Sequence, residues 1–220
     1  GMTYDAKNDH VAGYDACVDC HNPHTLELKL DECTACHDVA TEDDLINIRM
    51  AGSLVDYDGD GDISEGIYYE LMGLEEILYA SIQAYAVEVT GVPIVYDAHS
   101  YPYFFTDPDQ DGTGDERYNA WSARLLKAAY NYQVAHKDPG NFAHGGKYII
   151  QLLYDSIADL NEGLAMPVDM SALHRIDSGH FAGNEEAFRH WDEDGGVPGR
   201  CSRCHSAAGL PEYITYGMNT

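Results

Sequence analysis

Between residues 66 and 90 the apolar side chains recur at helical spacing. Ile67, Leu71, Leu74, Leu78, Ile82, Tyr85 and Val89 follow i, i+4, i+7, i+11, which predicts an amphipathic helix over 66–90 ended by Gly91 and Pro93. Trp121, Leu125, Ala128 and Tyr132 predict a second helix over 116–136, stopped before Pro139. Ile149, Leu153, Ile157 and Leu160 predict a third over 142–162, closed by Gly163. Between the first two helices, 92–96 and 101–105 read as extended connections. On either side of this block the pattern fades, apart from a short helical stretch near 184–191. The reading is a mainly α chain in three zones: an N-terminal segment 1–50, a helical segment 51–165 and a C-terminal segment 166–220. A central bundle of about three helices with long loops is flanked by terminal segments of low regular structure.

The flanking segments hold all six cysteines. They fall into three pairs, each with two residues between and a histidine directly after: Cys17, Cys20 and His21; Cys33, Cys36 and His37; Cys201, Cys204 and His205. C-x-x-C-H is the attachment signature of c-type haem. The two thiols add across the haem vinyl groups and the adjacent histidine binds the iron. Two other readings use the same cysteines. A Cys₄ zinc site on the first two pairs leaves His21 and His37 as coincidences and strands Cys201 and Cys204. Three short disulfides need no following histidine. Three covalent haems account for every cysteine and for the histidines, and they explain the weak regular pattern of the termini as haem-packed segments.

Distal ligands then come from the remaining eight histidines: His10, His24, His99, His136, His144, His174, His180 and His190. Three irons use at most three of them. The methionines show no clustering near the motifs, which favours bis-histidine over His/Met coordination and implies low reduction potentials. His10 lies seven residues before Cys17. His24 follows the stiff Pro23, points away from the ring served by His21 and is expected to reach a different iron. His180 and His190 precede the third motif. His10, His24, His180 and His190 are therefore the expected axial candidates. His136 and His174 read as ordinary structural histidines, and His99 and His144 stay open.

Two acidic loops add a second chemistry. Asp56, Asp58 and Asp60 stand at positions 1, 3 and 5 of a turn with Gly61 at position 6, followed by Asp62 and Glu65. Asp107, Asp109 and Asp111 repeat the arrangement with Gly112, followed by Asp115 and Glu116. That is the first half of a calcium-loop pattern. Position 12, where a bidentate Glu belongs, is Ile67 in one loop and Tyr118 in the other. The expectation is Ca²⁺ in both loops, against a solvated acidic turn that favours the start of the next helix.

Composition narrows the function. Lys and Arg number 12 and Asp and Glu 38, for a formal net charge of −26. Such a surface excludes a nucleic-acid binder working through phosphate contacts and disfavours docking on an anionic membrane. No apolar run reaches the roughly 18 residues of a membrane span. Covalent haem is attached outside the cytoplasm, so an extracellular or periplasmic protein with its export signal removed is expected.

The three C-x-x-C-H motifs, with C-H-x-P-H at 20–24, resemble the multihaem c-type cytochromes of anaerobic metal- and sulfur-metabolising bacteria and archaea. The stretches 56–69, 99–105, 142–161 and 187–210 are similar to a subgroup that combines haems with an acidic calcium-type loop and a helical segment. The resemblance implies electron transfer rather than catalysis, with redox partner proteins or extracellular acceptors. It implies His24 as distal ligand to a second haem, and in some relatives head-to-tail polymerisation into extracellular filaments. The layout of the motifs, two at one end and one at the other, points the same way: a homopolymer in which His10 or His24 completes an iron across the interface. The alternatives are a monomer with His10 bound within its own chain, a reductase of small nitrogen or sulfur oxyanions, and a fragment of a larger multihaem cytochrome.

Overall fold

The single-turn helix α1 (Cys17–Cys20) spans the first cysteine pair, α2 (Leu30–Cys33) ends on the first cysteine of the second, and a 3₁₀ turn at Glu42–Asn47 leads toward the first acidic loop. The long helix α3 (Ile67–Tyr85) follows, then a hairpin of β1 (Ile94–Tyr96) and β2 (Phe104–Thr106), then α4 (Ala123–Lys137) and α5 (Asn141–Asn161). The computed structural model describes residues 2–5, 10, 14, 16–49 and 55–177. Cys201, Cys204, His205, His180 and His190 lie outside the described residues. The described residues up to 49 and from 56 to 176 belong to one compact unit. No helix among them is long and apolar enough to cross a membrane.

Helices α3, α4 and α5 pack against one another pairwise. The stripe read from the sequence supplies the contact: Leu71, Leu74, Leu78, Ile82, Leu125, Leu153, Ile157 and Leu160 are completely buried. Each such side chain contributes about 1.5–3 kcal/mol through burial. The last residue of the predicted stripe departs from it. After Tyr85 the backbone widens into a π-turn at Ala86–Thr90, which shifts the register and leaves Val89 45% exposed. Gly91 ends the turn in the left-handed region, at φ +72°.

The predicted second helix starts seven residues late. Residues 116–122 are not helical. Thr106 donates to the Glu116 carbonyl, Asp115 donates to Thr106 and Tyr118 donates to Phe104, so this stretch runs beside β2 as an extension of the hairpin. Trp121 caps that layer instead of opening a helix: its indole nitrogen donates to the Tyr118 carbonyl at 3.1 Å and its ring meets Phe104 edge-on. The helix begins only where Ser122 accepts from the Leu125 N–H at 3.1 Å, an N-cap that satisfies one of the orphan donors of the first turn.

The N-terminal segment is tied to α5. The Asp5 N–H donates to Gln151 Oε1 at 2.8 Å and Gln151 Nε2 donates to Asp5 Oδ2 at 2.7 Å. Arg175, paired with Asp155, donates to the Thr3 carbonyl. These bonds hold the start of the chain along the same helix whose first turn carries His144.

Candidate haem and cation sites

The first two cysteine motifs share one local geometry. In each, the chain makes a single helical turn and the histidine N–H closes it on the first cysteine's carbonyl: His21 on Cys17 at 2.8 Å and His37 on Cys33 at 2.9 Å. Residues i, i+3 and i+4 of such a turn lie on one side, so both thiols and the imidazole share a face. Cys17, Cys20, Cys33 and Cys36 are free thiols; Cys17 and Cys36 are exposed, the other two half-buried. Past His21 the chain doubles back, with Leu26 in the left-handed region at φ +62°. Its carbonyl thereby meets His21 Nδ1 at 2.9 Å, which reserves Nε2 for a metal and fixes the ring.

His21 and His37 each also lie near a second imidazole. His10 and His37 have ring centroids 6.0 Å apart, and His21 and His144 lie 6.2 Å apart. A metal–imidazole bond of about 2.0 Å, as in zinc sites, implies a trans pair with centroids about 6.3 Å apart. Both separations are close to that value. The donor set of two thiols and two imidazoles per site suits a covalent bis-histidine haem. Ring contacts among the described residues pair the motif histidines with His10 and His144, not with His24. His24 is exposed and its backbone N–H donates to Asn22 Oδ1 at 2.9 Å. His136 is held elsewhere, stacked on Tyr132 with Nδ1 at 3.1 Å from Glu75 Oε2. The His174 N–H donates to the Tyr57 carbonyl. Spacing does not single out His144, which stands more than a hundred residues from either N-terminal motif.

In the first acidic loop, ligand atoms of Asp58, Asp60 and Glu65 lie within 4.8 Å of one another, as do those of Asp56, Asp58 and Glu70. Asp56 shapes the turn by accepting from the Gly59 and Gly61 N–H groups at 2.6 and 2.8 Å. Gly61, at φ +97°, takes a conformation that glycine adopts without strain. Asp62 turns away to Ser64. Glu70, on α3, was not anticipated from the loop pattern. It is fully buried, pairs with Arg49 at 2.6 Å and accepts from the Tyr57 and Asp58 N–H groups. Crowding of carboxylates has a clear electrostatic consequence. Burial, then Glu70 and Asp60, push Asp58 up to about 7. Burial, then Glu70, Asp60 and Asp62, push Glu65 up to about 7. Glu65 Oε1 is buried with no hydrogen-bond partner.

The second loop repeats the device. Asp107, Asp109 and Asp111 offer atoms within 4.8 Å of one another, and Asp107 accepts from Asp111 and Gly112 N–H at 3.1 Å each. Asp115 and Glu116, also expected as ligands, are not in that group; their backbones pair with Thr106.

No family profile matches the chain, and no solved structure matches it. Among curated proteins, the C-type polyheme cytochrome OmcB of Geobacter sulfurreducens is 28% identical over 105 residues, covering 41% of this chain and 14% of that protein, in each of two strains. The C-type polyheme cytochrome OmcC of the same species is 27% identical over 105 residues, with the same coverage. The chain thus matches about a seventh of the length of these relatives. Taken with two cysteine–histidine turns of one geometry, each facing a second imidazole, this distant similarity supports a multihaem c-type cytochrome.

Proposed function

We propose that the chain transfers electrons through three covalently bound c-type haems with bis-histidine coordination, outside the cytoplasm. The observation that carries the reading is the pair of imidazole separations, 6.0 and 6.2 Å, at two motifs closed by the same backbone hydrogen bond. Haem supplies a one-electron iron couple when bound. The protein's part is to anchor it by two thiols, fill both axial positions and so leave no open site for a substrate. That favours a carrier over the alternative, a reductase of nitrogen or sulfur oxyanions, whose anionic substrates the −26 charge would also repel. The third haem rests on Cys201, Cys204 and His205 in the sequence.

Intact mass of the mature protein should exceed the 24.3 kDa polypeptide by three haem masses that survive acid–acetone extraction. The visible spectrum should be wholly low-spin. A zinc stoichiometry near one with no bound haem overturns the reading, and a high-spin fraction in the native protein favours the reductase.

End-to-end assembly into an electron-conducting filament, with redox partner proteins or extracellular acceptors, belongs to the same proposal. It is supported by the separation of the third motif from the first two along the chain. The short His10–His37 separation supports His10 as a ligand within its own chain, so His24, which is exposed, is the better candidate for an iron across the interface.

We also propose Ca²⁺ in both acidic loops, on the grouping of their carboxylates and the unpartnered Glu65 oxygen. Acids raised to about 7 in the folded state bind protons more tightly than in the unfolded chain. Their contribution is full below about pH 4 and is lost as pH rises through about 7. In chelator, the melting temperature should therefore fall between pH 5 and pH 8. Calcium should restore it, and by more at pH 8, because a cation replaces the protons. Equal melting temperatures with and without chelator at pH 8 would leave the loops as solvated acidic turns.

A further inference from the structure

We infer that His144 is the distal ligand of the haem attached at Cys17 and Cys20, and that residues 138–145 are a dedicated holder for its imidazole. The inference rests on the covalent-haem reading above and adds to it a ligand that no motif or spacing marks. His144 lies 6.2 Å from His21, centroid to centroid. It is not a core side chain: 55% of its surface is exposed, so burial does not explain its placement.

Three features of the holder act on this one ring. Asp138, at the end of α4, spans His144 Nδ1 with both carboxylate oxygens, at 2.9 and 2.8 Å. An Nδ1–H bound to a carboxylate fixes the tautomer, leaves Nε2 as the ligand atom and makes the imidazole a stronger donor. Gly140 gives the ring its space: a Cβ there would stand 2.7 Å from His144 Cε1. Gly145 breaks the helix directly after the histidine, at φ +151°, a conformation that a side chain at this position would strain. The turn at 141–144 is thereby set off from the rest of α5, and its histidine leaves the helix face. The opposite ring is prepared in a matching way, since His21 Nδ1 is occupied by the Leu26 carbonyl. The two axial ligands differ in one respect. His21 donates to a neutral carbonyl and His144 to a carboxylate, so Asp138 is a positioning residue that also lowers the potential of this haem through the basicity of its ligand.

The test uses the full-length, haem-loaded protein and four variants: His144→Ala, His144→Met, Asp138→Asn and, as a control on an exposed histidine, His99→Ala. Haem-to-protein ratio, spin state and the individual potentials are measured for each. His144→Ala is expected to turn one haem of three high-spin at unchanged haem content. His144→Met is expected to stay low-spin with one potential shifted upward, since thioether ligation raises it. Asp138→Asn is expected to stay low-spin with the same potential shifted upward by a smaller amount. His99→Ala should match the wild type. Should His144→Ala fold poorly, the other two variants still decide. Wild-type spin state and wild-type potentials in both His144→Met and Asp138→Asn overturn the assignment. A wild-type protein without covalent haem would instead remove the underlying reading, and the haem ratio tells the two failures apart.

Discussion

Glu70→Ala is expected to destabilise the fold by about 3–5 kcal/mol, the range for removing one member of a buried ion pair. The glutamate is fully buried and does three things at once. It neutralises Arg49 at 2.6 Å, it accepts the Tyr57 N–H at 2.7 Å and it accepts the Asp58 N–H at 3.2 Å. Removing the carboxylate leaves a guanidinium that is only 12% exposed without this counter-charge, and takes an acceptor from the first residues of the acidic loop. Arg49 also donates to the Glu65 carbonyl, so the disturbance reaches both ends of that loop. Glu70→Gln keeps shape and acceptor and is expected to cost less than the alanine variant. Urea unfolding of the haem-loaded protein in calcium and in chelator provides the measurement. An alanine variant within about 1 kcal/mol of wild type would show that the pair is worth no more than a surface salt bridge.

His10→Ala is expected to convert one haem per chain from low-spin to high-spin while the assembly keeps its size. The reason is the 6.0 Å separation between His10 and His37 of the same chain, which fits both on one iron. A ligand lent across an interface behaves differently: its loss opens an iron and shortens the polymer together. Spin state by absorption and particle size by light scattering, read on one sample, separate these outcomes. Shorter or absent polymers in His10→Ala would return His10 to the interface. An unchanged spectrum would remove it from the iron altogether.

His10 and Glu70 differ in how much of their role could be read along the chain. Both partners of the His10 pair were visible as candidates, because the C-x-x-C-H spacing is chemistry written into a single helical turn. His37 follows Cys36 whatever the rest of the fold does, whereas its meeting with His10, 27 residues upstream, is not written in the spacing. The helical stripes of α3 and α5 were legible for the same local reason, since 3.6-residue periodicity is fixed by the backbone. Glu70 was hidden. On its own helix it is one more acidic residue, and only the approach of Arg49 and the Tyr57–Asp58 backbone makes it the buried anchor of the loop. The helix α4 starts later than its pattern predicts because 115–118 pairs with β2 residues nine to fourteen positions back, and pairing across the hairpin outweighs a helical pattern that Trp121 merely extends.

By itself, then, the sequence determined the local elements: the cysteine–histidine turns at 17–21 and 33–37, two carboxylate-rich turns with glycine at the bend, and the buried faces of the main helices. Each is set by residues within a few positions of one another, where backbone geometry leaves little choice. The tertiary structure decided the pairings. His144 lies near His21 in a fold whose N-terminal segment is bonded along α5 through Asp5, Gln151 and Arg175 and whose α5 is interrupted at Gly145. A distal ligand needs one correct distance and no particular sequence separation, so spacing along the chain carries no trace of it.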